Sequence, residues 1–185
     1  MQVVKPTKAG INQAVAVLKK GGVIIYPTDT AYALGGIFNS KKVVGRILKI
    51  KNRKDSKFTV IAANPEQVKK NFSFNKNQQN LAKKYWPGPF SIVVSPRFAV
   101  RVPKNSISQN LAKKVGQPLI ATSANISGKS AFYHSQSAIK EFINKKNQPD
   151  LILAAGLLAK RKTSTIVKVF PKKIEIIRNG SVKLS

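Results

Sequence analysis

The chain has no cysteine, one histidine and only six carboxylates in 185 residues. Without cysteine there are no disulfides, thiolate nucleophiles or cysteine metal sites, so packing alone is expected to hold the fold. The acids are Asp29, Asp55, Glu66, Glu141, Asp150 and Glu175, and the single imidazole is His134. A Ser-His-Asp arrangement would have to use His134, yet the surrounding FYHSQS reads better as the approach to a helix. No acid–base pair is evident. So few ligands build no ready metal cage, and a divalent ion is expected to arrive on a phosphate ligand instead. No apolar run approaches the roughly 18 residues of a membrane span. The opening MQVVKPTKAG lacks the apolar core and cleavage site of a signal peptide, so a cytoplasmic chain with no membrane partner is expected.

Positive charge is present in excess: 34 Lys and Arg against 6 Asp and Glu give +28. A field of that size attracts nucleic acid and phosphate-rich ligands. The alternative source is compositional bias, because the chain is also rich in Lys, Asn and Ile, as AT-rich coding DNA would make it. The basic residues run from Lys5 to Lys183 without gathering into a tail, so charge names a class of partner and no face. An apolar fraction of 42% and this length fit a single domain over residues 1–185.

Strand and helix patterns alternate along the chain. Thr7 is expected to cap a helix carrying Ile11, Ala14, Val15 and Leu18, closed by Gly21 and Gly22. VIIYP at 23–27 reads as a buried strand, Ser40 as the cap of a second helix, and FTVIAA at 58–63 as a strand. Asn64 and Pro65 start a further helix in cap-then-proline order. FSIVV at 90–94 and FAVRV at 98–102 suggest a hairpin, residues 106–115 a helix, and PLIAT at 118–122 a central strand. Residues 135–144 read as a short helix, LILAA at 151–155 as a buried strand, and STIVKVF with KIEIIR as a closing hairpin. The expected class is α/β (α+β), a twisted mixed sheet flanked by helices.

Three polar segments carry candidate chemistry. In YPTDTAYALGG at 26–36 an apolar run empties into a hydroxyl-rich bend holding Asp29, which suits a binding loop and equally a capped turn. KIKNRKDSK at 49–57 crowds Lys49, Lys51, Arg53, Lys54 and Lys57, and Lys51 and Arg53 can converge on one anion where the helix has ended. The plainer reading is a solvated helix end that complements the dipole. TSANISG at 122–128 offers Ser123 and Asn125 two residues apart at a strand end, where ligands are often held. The adjoining SGKS is not a phosphate-binding P-loop, because the pattern needs glycine where Ser123 stands, and no G-x-G-x-x-G occurs.

In this order the segments resemble the YrdC-type threonylcarbamoyl-AMP synthase family, through YPTDTAYALGG, KNR at 51–53, WPGPFSIVV at 86–94, AVRVP at 99–103 and PLIATSANISG at 118–128. STIV at 164–167 and IIRNG at 176–180 look like its closing motifs. The likeness covers nearly the whole chain and is to the short, single-domain members. It implies a YrdC-like fold and a reaction in which L-threonine and bicarbonate give threonylcarbamate, which attacks ATP to form threonylcarbamoyl-AMP and pyrophosphate. That product feeds the N6-threonylcarbamoyl modification of the tRNA adenosine beside the anticodon, through partner proteins. The attacking carbamate is already anionic, so positioning and charge neutralisation suffice without a strong protein base.

Carried over by motif, the resemblance assigns charge neutralisation to Lys51 and Arg53, and ATP binding to Lys51, Arg53, Lys57, Ser123, Asn125 and Arg178. Thr30, Arg101 and Ser164 are assigned to threonine, and Asp29 to ordering its loop. ATP enters as a substrate, with Mg²⁺ expected on its phosphates and no protein metal site. Taken alone, Arg101 would be a strand-end charge and Arg178 a hairpin-edge charge. Ala33 stands where the family has glycine, and Lys54 and Phe58 where prolines are usual, which bears on loop shape. A tRNA- or double-stranded-RNA-binding protein of the same fold without synthesis is the alternative. A carbamoyl-handling domain like that of hydrogenase-maturation proteins is disfavoured by the missing cysteines.

Overall fold

The computed structural model describes residues 1–184. After β1 (Gln2–Val4), Thr7 caps α1 (Lys8–Lys19), its Oγ1 accepting from Gly10 N at 3.2 Å. The VIIY run supplies β2 (Ile24–Pro27), which turns back into β3 (Tyr32–Gly35). Ser40 caps α2 (Lys41–Lys51), which Asn52 ends in the left-handed conformation at φ 49°. β4 (Phe58–Ile61) precedes α3 (Pro65–Asn71), capped by Asn64, and α4 (Lys76–Tyr85), opened by an Asn75–Gln78 capping box. β5 (Phe90–Val93) and β6 (Phe98–Arg101) form the expected hairpin. There follow α5 (Ser106–Val115), β7 (Leu119–Ile120), β8 (Thr122–Ser123) and α6 (Ser135–Phe142). His134 is the N-cap of α6, its ring nitrogen accepting from Gln136 N at 3.0 Å. β9 (Leu151–Leu153), β10 (Thr165–Val169) and β11 (Ile174–Arg178) complete the order, the last two pairing antiparallel.

Among the described residues the strands form two mixed sheets, ordered β1-β9-β2-β3-β8 and β11-β10-β5-β6-β4-β7. The first is covered on both faces, which is why VIIY is apolar throughout rather than alternating. Val23 and Ile25 pack with Val43 and Ile47 of α2 and Phe142 of α6. Ile24 and Tyr26, one residue out of phase, pack with Leu18 of α1 and Leu111 of α5. Each such fully buried side chain contributes roughly 1.5–3 kcal/mol. The second sheet packs Val60 and Val100 against Val68 of α3, and Phe90, Ile92 and Val167 against the apolar side of α4.

The α/β (α+β) class holds, with two sheets where one was expected, and PLIAT is the reason. It is not one central strand: β7 pairs with β4 at the edge of the second sheet, and β8 pairs with β3 at the edge of the first. The segment changes sheets at Ile120 and Ala121. Ile120 accepts a 2.6 Å hydrogen bond from the Tyr26 hydroxyl, and its oxygen would lie 1.6 Å from a Cβ at position 35. Gly35 is therefore what lets the two sheets meet. β1, β3 and α4 were not expected as elements. β3 lies inside the segment read as a polar bend, and Gln78 is the only buried residue of α4, whose apolar side is limited to the partly buried Leu81, Ala82 and Tyr85 in its last two turns.

Candidate active site

A cleft of about 370 Å³ opens where the sheets meet, lined from the β2–β3 turn, the loop into β4, the β5–β6 hairpin, β8, and the β10–β11 pair. Its innermost charge is Arg101, at the end of β6 and 3% exposed. Arg101 Nη1 donates to Asp29 Oδ1 at 2.6 Å and, weakly, to Gly88 O at 3.4 Å. Asp29 Oδ2 accepts from Lys104 N at 2.9 Å, so one carboxylate joins the β2–β3 turn to the chain beyond β6. Arg101 Nη2 reaches Thr30 Oγ1 at 3.5 Å, and Nε is buried with no partner among the described residues. An unpaired buried donor beside a cleft is costly unless a ligand accepts from it.

The turn itself is held by Thr28, whose hydroxyl donates to Ala31 O at 2.7 Å and accepts from Thr30 N at 3.2 Å. Across the cleft, buried Ser164 accepts from Ser91 Oγ at 3.1 Å and from Arg178 Nη2 at 2.8 Å. A register shift between Ile166 and Val167 sits opposite Arg178, and this otherwise exposed strand folds its guanidinium back onto Ser164. Loss of water around that guanidinium, and then the charge of Arg101, lower its pKa. Gly180 allows the approach, since a Cβ there would meet Thr163 O at 2.2 Å.

Arg53 and Lys57 line the cleft from the loop into β4. Asp55 ties this loop to itself: Oδ2 accepts from Arg53 Nη2 at 2.5 Å and Oδ1 from Lys57 N at 2.9 Å. The Arg53 hydrogen bond, followed by that of the Lys57 amide, holds the Asp55 carboxyl below its usual pKa. The Arg53 guanidinium lies 5.5 Å from the Phe58 ring centre. Phe58, where a proline is usual, thus gives Arg53 a surface to rest on.

Lys51 takes a different place from the one expected. It is the last residue of α2 and 3% exposed, and its Nζ donates to Ser123 O at 2.5 Å and Asn125 O at 2.7 Å. Ser127 N donates back to Lys51 O at 2.9 Å. The Asn125 side-chain amide is turned into its own loop, donating to Lys129 O and to Ile126 O at 3.1 Å. Burial lowers the Lys51 pKa to about 8, with the Arg53 charge adding to the shift. Lys51 and Asn125 therefore stand behind the cleft wall, for their polar atoms satisfy each other and the loop carbonyls; Arg53, beyond the helix end, faces the cleft.

The cleft thus brings together Thr30, Arg53, Lys57, Arg101, Ser123, Ser164 and Arg178 of the expected residues, and leaves out Lys51 and Asn125. Ala33 also lines it; the residue is paired in β3, and among the described non-glycine residues only Asn52 has a positive φ. Glycine is not required there. The sequence reading missed Arg97, in the β5–β6 turn, and Asp55 as a partner of Arg53. Charge alternation in KNRKDSK was the only signal for Asp55, and Arg97, the single charge in residues 85–100, carried none. No group of three or more His, Cys, Asp or Glu that could hold a metal occurs among the described residues. No helix among them is long and apolar enough to cross a membrane.

The family model described as Sua5/YciO/YrdC, telomere recombination, matches residues 16–180. The "Uncharacterized protein YciO" of Escherichia coli K12 is 31% identical over 95% of this chain and 91% of its own length. The crystal structure of E. coli YciO superposes with a TM-score of 0.84 at 27% identity, over 97% of this chain and 94% of its own. A threonylcarbamoyl-AMP synthase of Enterobacter sp. strain 638 is 35% identical over 71% of this chain and 78% of its own length. P. abyssi Sua5 complexed with L-threonine superposes with a TM-score of 0.85 at 25% identity; the match covers 97% of this chain but 56% of Sua5, a little over half. With a family model spanning nearly all of the elements that build the cleft, the chain belongs to the Sua5/YciO/YrdC family.

Proposed function

We propose that the cleft makes threonylcarbamoyl-AMP from L-threonine, bicarbonate and ATP, releasing pyrophosphate. The observation that carries this reading is Arg101: a buried guanidinium clamped by Asp29, with Nε unpaired and Nη2 beside the Thr30 hydroxyl. That is a socket for a small carboxylate, and planar Arg can grip one with two parallel hydrogen bonds. Relatives named threonylcarbamoyl-AMP synthase and a Sua5 bound to L-threonine support threonine as its occupant.

The threonine carboxylate rests on Arg101, with Thr30 and Ser164 supplying hydroxyls. The amino nitrogen adds to bicarbonate carbon and water leaves, giving a carbamate. One carbamate oxygen attacks the α-phosphorus of ATP; the bond from that phosphorus to the bridging oxygen breaks, and pyrophosphate carries the electron pair away. Arg53 and Lys57 neutralise the developing phosphate charge, Arg178 closes over Ser164, and Ser123 offers a hydroxyl to the nucleotide. Lys51 and Asn125 act through the Ser123 loop. Mg²⁺ would come with the ATP phosphates, and no step is assigned to it. The chain works as one cytoplasmic domain and hands its product to tRNA-modifying partner proteins.

The test is threonine- and bicarbonate-dependent pyrophosphate release from ATP, with Arg53→Ala expected to slow it roughly a hundredfold. A second reading, an RNA-binding protein without synthesis, is favoured by the +28 charge. No pyrophosphate release, together with RNA affinity that falls steeply with salt, would select it.

A further inference from the structure

We propose that Arg97 is a further anion-binding residue of the cleft, acting with Arg53 on the terminal phosphates of a nucleoside triphosphate. This rests on the reading of the cleft as an ATP site. Arg97 and Arg53 both line it, and each guanidinium lies over a phenylalanine: Arg97 is 5.7 Å from the Phe98 ring centre and Arg53 is 5.5 Å from that of Phe58. The two rings are register partners on parallel strands β4 and β6. Phe58 N also donates to Arg97 O at 2.8 Å, fixing the Arg97 backbone to the segment that carries Arg53 and Lys57. Two arginines steadied on paired rings form a basic pole at the start of the strands. Arg101 lies at the other end of β6, three residues beyond Phe98, about 10 Å at the usual strand rise. Arg178, which feels the charge of Arg101, belongs to that second pole. A carboxylate at one pole and a pyrophosphate group at the other leave the α-phosphate between them. Arg97 then contacts the leaving group, so its loss should affect ligands with terminal phosphates and spare those without.

Calorimetric titration of inorganic pyrophosphate, ATP, AMP and threonine into wild type, Arg97→Ala and Arg97→Lys tests this. Lys140→Ala, an exposed charge on α6 outside the cleft, controls for net charge. Arg97→Ala should weaken pyrophosphate and ATP by about tenfold and leave AMP, threonine and the circular dichroism spectrum unchanged. Arg97→Lys should recover part of the loss, and Lys140→Ala should show none. Unchanged pyrophosphate affinity in Arg97→Ala, or an equal loss in AMP and in Lys140→Ala, overturns the proposal. Pyrophosphate binding that depends on Arg97 without threonine-dependent pyrophosphate release would leave this subsite standing and remove the synthase reading. Release with Arg97 dispensable does the reverse, and wild type that binds neither ATP nor pyrophosphate removes both.

Discussion

Arg101 and Asp29 form an ion pair at 2.6 Å with side chains only 3% and 2% exposed, joining the end of β6 to the β2–β3 turn. Neither charge has water to fall back on. Asp29→Asn should therefore destabilise the protein by about 3 kcal/mol, because it leaves a buried guanidinium without its counter-charge. Arg101→Lys keeps the charge but removes the fork, and should weaken threonine binding at least about tenfold with a smaller effect on stability. Urea unfolding and threonine calorimetry separate the two. Threonine affinity untouched in Arg101→Lys would reduce the pair to a structural clamp.

Asp55 occupies an edge of Arg53 that an incoming phosphate would use. Asp55→Asn should tighten ATP binding by about threefold, since a surface contact of this kind is worth under about 1 kcal/mol. Weaker binding instead would mean that Asp55 serves mainly to shape the loop. The Asp55 pKa is lowered, so its contribution to stability is present above the ordinary value of 3.8 and is lost as pH falls through the lower folded value. Stability measured by urea unfolding across acid pH should lose that dependence in the Asn variant.

Lys51 titrates in the opposite sense. Its pKa falls from 10.5 to about 8 on folding, so between those values the unfolded chain holds a proton that the folded chain has released. Stability from this group must then rise with pH across that window. Unfolding curves of wild type and Lys51→Met from pH 7 to about 10.5 should diverge in favour of wild type. At neutral pH, Lys51→Met removes the bonds to Ser123 O and Asn125 O, and should loosen the loop that carries Ser123. Parallel curves would show that Lys51 is not held as the hydrogen bonds indicate.

Gly35→Ala should be among the most damaging small substitutions, at about 3 kcal/mol or more. A methyl at that position meets the Ile120 carbonyl, which is backbone and is also held by Tyr26, so nothing nearby can rotate away. Chemical denaturation measures this directly. A mild effect would mean the junction between the sheets can open without loss.

Much of this protein was legible in its sequence, because the determinants were local. Thr7, Ser40 and Asn64 named their helices through a hydrogen bond to a backbone amide three residues on. The unbroken VIIY run announced a strand covered on both faces. The motifs YPTDTAYALGG, KNR and TSANISG marked about a third of the residues that line the cleft, Thr30, Arg53 and Ser123 among them. What sequence could not decide was direction. Lys51 and Arg53 are two residues apart, and only the left-handed turn at Asn52 sends one behind the wall and the other toward the cleft. Asn125 lies two residues from Ser123, yet its amide is spent inside the loop. PLIAT has the composition of one strand and is divided between two sheets, because strand pairing depends on partners 60 and more residues away, at Thr59 and Tyr32. The union of Arg101 with Asp29 across 72 residues has the same cause. Local composition sets which groups are available; long-range packing and the need to satisfy every buried polar atom decide which of them meet.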